Sequence, residues 1–108
     1  RGLDFEFFSA RALGIAFAEA ELPSDREHVT PFFYLRRDPR FRARFIGGSF
    51  DHSELRLTLD TWEDYQLLRT LIEDYYGDLL SYRELIHLLR SEPELAAANH
   101  HVVQKCVT

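Results

Sequence analysis

The spacing of apolar residues changes character in the middle of this chain, within residues 55–76. Leucines alternate with polar residues over positions 55–59, which predicts a strand that buries one face. From Thr61 onward the apolar positions recur about every 3.6 residues, which predicts an amphipathic helix that ends near Gly77. Asp60 therefore lies at the carboxyl end of a predicted strand, immediately before a helix.

The same reasoning predicts two further strands and four further helices. Alternation over residues 3–7 and over residues 40–46 predicts two short strands. Ser9, Ser24 and Ser81 each precede a helical pattern and are N-cap candidates, and Pro93 suits the first turn of a last short helix. Strands interleaved with helices indicate a layered α/β or α+β domain.

Length and charge narrow the possible classes of protein. The 108 residues are enough for one domain at most, and the formal net charge of -5 argues against nucleic acid as the main partner. The arginines between residues 36 and 44 form either an exposed face or a surface for an anionic sugar or phosphate. No apolar stretch reaches the roughly 20 residues of a membrane span. The single cysteine, Cys106, excludes an internal disulfide and fits a reducing cytoplasm.

Asp60 has two interpretations at this stage. Asp60-x-x-Glu63 and Thr61-x-x-Asp64 both have the spacing of a capping box, in which side chains bond to free helix N–H groups. Alternatively, Asp60 holds a ligand or metal, because open α/β sheets gather ligands at the carboxyl ends of their strands. The two roles are compatible, and spacing alone leaves both open.

Four segments of the chain share their order and spacing with one protein family. They are residues 1–9 (RGLDFEFFS), residues 26–34 (REHVTPFFY), residues 55–65 (LRLTLDTWEDY), and residues 93–99 (PELAAAN) with Gln104-Lys105. Together they resemble the C-terminal part of the cytidylyltransferases that activate acidic sugars. That family includes the acylneuraminate and KDO enzymes, and the likeness is greatest to the spore coat polysaccharide biosynthesis protein F group. One departure is Trp62, where the family usually has proline.

The resemblance implies an α/β fold, namely the C-terminal portion of a Rossmann-like nucleotide-diphospho-sugar transferase (GT-A-like) fold with about three short strands and flanking helices. Residues 1–108 would be a single partial domain, because the family's nucleotide-binding loop has no counterpart here. The resemblance also implies Mg²⁺ with Asp60 as a ligand, CTP and a sugar or sugar acid as substrates, and a cytoplasmic homodimer. Substrate contacts are implied at Arg1, Asp4, Glu6, Glu27, His28 and Arg56.

Simpler roles remain open for several of these residues. Asp4 and Glu6 also fit a solvated strand face, and His28 also fits a hydrogen-bonded structural histidine. Two functions follow from the sequence. The first is a CTP-dependent nucleotidyltransferase for surface polysaccharide synthesis, in which this chain supplies sugar-side and metal residues but is inactive alone. The second is a non-catalytic dimerisation or interaction module derived from the same fold.

Overall fold

In a computed structural model of the chain, the described residues are 1–105, and their regular structure is helical. The α-helices within these residues are α1 (Ala10–Glu19), α2 (Pro23–His28), α3 (Pro31–Tyr34), α4 (Trp62–Tyr75), α5 (Tyr82–Ser91) and α6 (Pro93–Ala97), with a 3-10 turn at Gly77–Leu79. No helix in this part of the chain is long and apolar enough to cross a membrane. Cys106, and with it the interpretation of the single thiol, lies outside the described residues.

The predicted strands are wrong, and so is the predicted α/β, Rossmann-like (GT-A-like) fold. Residues 3–7, 40–46 and 55–59 are irregular, and residues 1–105 contain no strand. Alternation shows which face a strand would bury, but a strand also needs a partner for its backbone groups. At positions 3–7 the pattern buries nothing, since Phe5 and Phe7 are 85% and 90% exposed.

A short backbone pairing does occur at the third predicted strand. The amino group of Arg1 donates to the carbonyl oxygen of Leu55 at 2.6 Å, and the N–H of Leu57 donates to the carbonyl oxygen of Arg1 at 2.8 Å. Gly2 follows with φ +100, and a Cβ there would lie 2.4 Å from the carbonyl oxygen of Leu57. Only glycine tolerates that close approach, so Gly2 permits the pairing.

The starts of α1, α5 and α6 agree with the capping residues predicted from the sequence. The hydroxyl of Ser9 accepts a hydrogen bond from the N–H of Ala12 at the start of α1. Ser81 and Glu84 form a reciprocal capping box at the start of α5, and Pro93 occupies the first turn of α6. The predicted helices α1, α4, α5 and α6 are therefore confirmed.

The short helices α2 and α3 differ from the prediction. Helix α2 begins at Pro23 and has no side-chain cap, so the predicted capping role of Ser24 is wrong. Helix α3 contains Phe32, Phe33 and Tyr34, and no helix was predicted for these residues. Val29 separates them with φ 64, a conformation that is uncommon for a β-branched residue.

The chain divides into two compact units, and the first comprises Arg1–Asp4 and Gly48–Gln104. Its core joins α4, α5 and α6 to the segment before α4. The buried apolar residues there are Leu55, Leu67, Leu71, Ile86, Leu89 and Leu95. This packing holds the start of α4 beside residues 55–60. The prediction that residues 1–108 form a single partial domain stays a prediction.

The second unit contains Phe5–Gly47 and is built around α1, α2 and α3. Its buried apolar residues are Ala16, Ala20 and Phe32. Two of the clustered arginines are paired here. The guanidinium of Arg36 donates to both oxygens of the buried Asp25, at 2.6 and 3.0 Å, and Arg40 pairs with Glu19 and Asp38. These pairs account for part of the basic run without an external anion.

Candidate functional site

The first turn of α4 shows which of the two possible capping boxes forms. Thr61 is the N-cap: its hydroxyl accepts from the N–H of Asp64 at 3.3 Å, and the carboxylate of Asp64 accepts from the N–H of Thr61 at 3.3 Å. The Thr61–Asp64 box is therefore confirmed. The alternative box, from Asp60 to Glu63, is wrong, because Asp60 precedes the N-cap and its carboxylate bonds to a guanidinium instead.

Asp64 is completely buried, and its carboxylate collects hydrogen bonds from several directions. Arg56 donates through Nε and Nη2, both at 2.8 Å, and Asn99 donates through Nδ2 at 2.8 Å. The hydroxyl of Thr58 and the N–H groups of Asp60 and Thr61 add bonds of 3.1, 3.0 and 3.3 Å. A carboxylate offers roughly four lone-pair sites, so this one is saturated.

Arg56 is only 8% exposed, although it falls among the polar positions of the alternating pattern. Its Nη1 donates to Oε1 of Gln104 at 2.6 Å, and its Nη2 reaches Oδ2 of Asp60 at 3.2 Å in addition to Asp64. The hydrogen bonds from Arg56 hold the pKa of Asp64 well below its usual range, and the same bonds raise the pKa of Arg56. Each guanidinium nitrogen thus has a partner, and the substrate-binding role predicted for Arg56 stays a prediction.

Charge counting leaves one carboxylate without a full counter-charge. The charges of Arg56 and Asp64 cancel within the buried pair, so Asp60 supplies the net negative charge of this cluster. Its side chain is 65% exposed and lies where the irregular segment meets α4. An exposed carboxylate beside a neutralised pair is suited to meet a cation from solvent.

Asp60 can supply a metal with one ligand. Residues 1–105 contain no group of three His, Cys, Asp or Glu side chains placed to hold a metal ion. Mg²⁺ commonly binds proteins through only one or two carboxylates, and it keeps several waters or takes phosphate oxygens for the rest. Asp60 fits that limited demand, whereas the nearby Nη2 of Arg56 opposes a cation.

The remaining predicted site residues are exposed and are divided between the two units. Arg1 and Asp4 belong to the first unit, where Asp4 accepts a hydrogen bond from the N–H of Gly2 at 3.3 Å. The others belong to the second unit: they are Glu6, Glu27 and His28. His28 lies 3.9 Å from Glu27 through Nε2. Of the predicted residues, the structure brings Arg56 and Asp60 into hydrogen-bond contact, at 3.2 Å, and the sequence neighbours Glu27 and His28 to within 3.9 Å.

Sequence reasoning missed the importance of Asp64, Asn99 and Gln104. Asp64 was considered only as half of a capping box, and the other two only as members of matching segments. Asn99 donates to the carbonyl oxygen of Arg56 across 43 positions of sequence, and Gln104 bonds to Arg56 across 48. A polar residue following a short apolar helix was the available signal, but it does not identify a partner so far away.

Comparison with known proteins gives one distant relative and no function. No family model matches the sequence, and no solved structure matches it significantly. The chain is 31% identical over 107 residues to uncharacterized protein MJ1063 of Methanocaldococcus jannaschii. The match covers 96% of this chain and 43% of that protein, so the chain spans less than half the length of this relative. The resemblance to cytidylyltransferases stays a hypothesis.

Proposed function

We propose that this chain is part of a nucleotidyltransferase that activates a sugar or sugar acid with CTP for polysaccharide or glycoconjugate synthesis. In this proposal Asp60 is one carboxylate ligand of Mg²⁺. The observation that carries it is the exposed Asp60 carboxylate beside a buried pair, Arg56 and Asp64, whose charges cancel. The resemblance of residues 55–65 to the family's metal-binding segment adds support.

The chemistry of cytidylyl transfer explains why such a carboxylate is useful. A sugar oxygen forms a bond to the α-phosphorus of CTP, the bond to the β-phosphate oxygen breaks, and pyrophosphate leaves. A divalent cation, when bound, offsets the negative charge that develops on the phosphate oxygens. The part of this chain is to hold Asp60 at a fixed point, since its backbone N–H donates to the buried Asp64 carboxylate.

The wider proposal includes partners and location. Its substrate contacts are those that the resemblance implies, at Arg1, Asp4, Glu6, Glu27, His28 and Arg56. The protein works in the cytoplasm as a homodimer, without nucleic acid or membrane as a partner.

A non-catalytic dimerisation or interaction module is the alternative, and exposed apolar side chains favour it. Those most exposed include Phe5, Phe7, Phe45, Ile46 and Phe50. Contact with a partner would remove such side chains from water, which is favourable. An assay of pyrophosphate release separates the two functions, because a dimerisation module without catalysis releases no pyrophosphate from CTP, with or without Mg²⁺.

Substitution of Asp60 in the natural protein that contains this chain tests the proposal. Asp60→Asn should lower the initial rate of pyrophosphate release from CTP and raise the Mg²⁺ concentration needed for half the maximal rate. The melting temperature should barely change, because Asp60 is exposed and does not cap α4. Glu63→Gln is the matched control, since it removes one negative charge from the same helix end. A wild-type rate and Mg²⁺ dependence in Asp60→Asn would refute the metal role.

A further inference from the structure

We infer that Asn99 and Gln104 are positioning residues: they hold the guanidinium of Arg56 on Asp64 and thereby keep the Asp60 carboxylate open to a cation. The inference rests on the proposed role of Asp60 as a metal ligand. It assigns a task to two residues that otherwise count only as members of the matching segments.

Asp60 and Asp64 share one hydrogen-bond donor of Arg56. Nη2 of Arg56 donates to Asp64 at 2.8 Å and to Asp60 at 3.2 Å, so two carboxylates compete for one nitrogen. The shorter bond, supported by a second bond from Nε, goes to Asp64. A bidentate pair of this kind fixes the orientation of the guanidinium. If that pair loosened, Arg56 would be drawn to Asp60, and its charge would then occupy the carboxylate that a cation needs.

Asn99 holds both members of the buried pair with one amide group. Its Nδ2 donates to Oδ1 of Asp64 at 2.8 Å and to the backbone carbonyl oxygen of Arg56 at 3.1 Å. Asn99 is itself almost completely buried, so water does not readily replace these bonds. It therefore fixes the carboxylate and the backbone from which the guanidinium extends.

Gln104 holds the remaining nitrogen. Its Oε1 accepts from Nη1 of Arg56 at 2.6 Å, whereas Nε and Nη2 face Asp64. With Nη1 engaged, the guanidinium cannot rotate to offer a second donor to Asp60. Glutamine is neutral, so a glutamate at this position would hold Arg56 more strongly and an alanine would release it. The same position thus offers substitutions with opposite expected effects.

Both residues lie after the end of α6, and both act on Asp60 only through Arg56 and Asp64. The chain segment from Asn99 to Gln104 therefore governs how available the Asp60 carboxylate is. A merely structural role would lower the stability of every variant, but it would not make Gln104→Ala and Gln104→Glu differ in their effect on the Asp60 carboxylate.

The test compares Asn99→Ala, Gln104→Ala and Gln104→Glu in the 108-residue chain by NMR at constant neutral pH. The deciding signals are the carboxyl carbon of Asp60 and the Nε–H of Arg56. In the two alanine variants the Asp60 signal should shift and the Arg56 Nε–H should exchange faster with water. In Gln104→Glu both signals should stay near their wild-type values. Val103→Glu is the control, since it adds the same charge at an exposed neighbouring position.

Mn²⁺ serves as the cation probe in the same samples, and broadening of the Asp60 and Thr61 amide signals reports its binding. The Mn²⁺ concentration for half-broadening should rise about two- to tenfold in Gln104→Ala, the range expected for one lost hydrogen bond. It should not rise in Gln104→Glu.

An unchanged Asp60 carboxyl signal in Gln104→Ala would overturn the positioning role, as would equal shifts in Gln104→Ala and Gln104→Glu. Gln104 is the deciding position if Asn99→Ala fails to fold. Absence of Mn²⁺ broadening in the wild type would instead refute the metal role of Asp60. The carboxyl signal would still decide whether Asn99 and Gln104 hold Arg56.

Discussion

Replacing Asp64 with asparagine keeps the shape of the side chain but removes the charge from the centre of the buried network. Arg56, 8% exposed, would lose its bidentate partner and keep its own charge. The new amide group would also point hydrogen atoms at neighbours that are themselves donors, including Nδ2 of Asn99. The substitution therefore leaves unsatisfied donors and a buried cation whose remaining carboxylate contact is the exposed Asp60, at 3.2 Å.

The expected cost is large for a chain of this size. Breaking a buried ion pair by removing one partner costs about 3–5 kcal/mol, against a total stability of about 5–15 kcal/mol for a typical domain. In a small domain each kcal/mol lowers the melting temperature by about 4–8 °C, so the loss should exceed ~12 °C. Asp64→Asn should therefore be among the most destabilising isosteric substitutions in the first unit.

The pH dependence provides an independent check on the same residue. Because the folded-state pKa of Asp64 is depressed, its contribution is fully present above the unfolded-state pKa of about 3.9 and is lost as the pH falls toward the folded-state pKa. Asp64→Asn lacks this contribution at every pH. The difference in unfolding free energy between wild type and variant should therefore shrink on acidification from about pH 7 to about pH 3.

Urea unfolding at both pH values measures these differences, with Asp60→Asn as the matched control. Asp60 contacts the same Nη2 of Arg56, at 3.2 Å, but it is exposed, and exposed pairs contribute at most about 1 kcal/mol. A loss of unfolding free energy in Asp64→Asn no greater than that in Asp60→Asn at neutral pH would refute the stabilising role of the buried ion pair. A gap between wild type and Asp64→Asn that did not narrow in acid would contradict the assignment of the charged form.

Two further predictions concern the backbone. Thr61→Ala and Ser81→Ala should each lower the urea-unfolding free energy by about 0.5–2 kcal/mol, because each removes the hydroxyl of a capping box, and no loss in either would contradict the observed caps. Gly2→Ala should speed hydrogen exchange of the Leu57 N–H, because a Cβ there clashes with the Leu57 carbonyl. Gly14→Ala, with open space around it, should not, and equal exchange in the two variants would exclude the clash.

Helices α1, α4, α5 and α6 could be predicted because their signals are local. A capping side chain bonds to an N–H three residues away, as Ser9, Thr61 and Ser81 do, so a short stretch of sequence contains both partners. The strands could not, because alternation carries no information about a partner segment. Residues 55–59 have the pattern, yet their backbone pairing is limited to the two bonds with Arg1.

The surroundings of Asp60 could be predicted only in part. Asp60 does lie at the junction before α4, but its neighbour Thr61 is the cap. Arg56 falls among the polar positions of the alternating pattern but is buried, because Asp64 and the distant Gln104 accept hydrogen bonds from its guanidinium. The spacing of apolar residues within positions 55–65 contains no information about contacts with Asn99 or Gln104, which lie far along the chain.

Asp64 forms part of the capping box of α4 and neutralises Arg56 with the same carboxylate. First turns of helices ordinarily fray at little cost, because few contacts depend on them. Here fraying would strip a buried guanidinium of its counter-charge and release the side chains of Asn99 and Thr58 together. The beginning of α4 and the segment after α6 therefore form one cooperative unit, which opens only when much of the first unit opens with it.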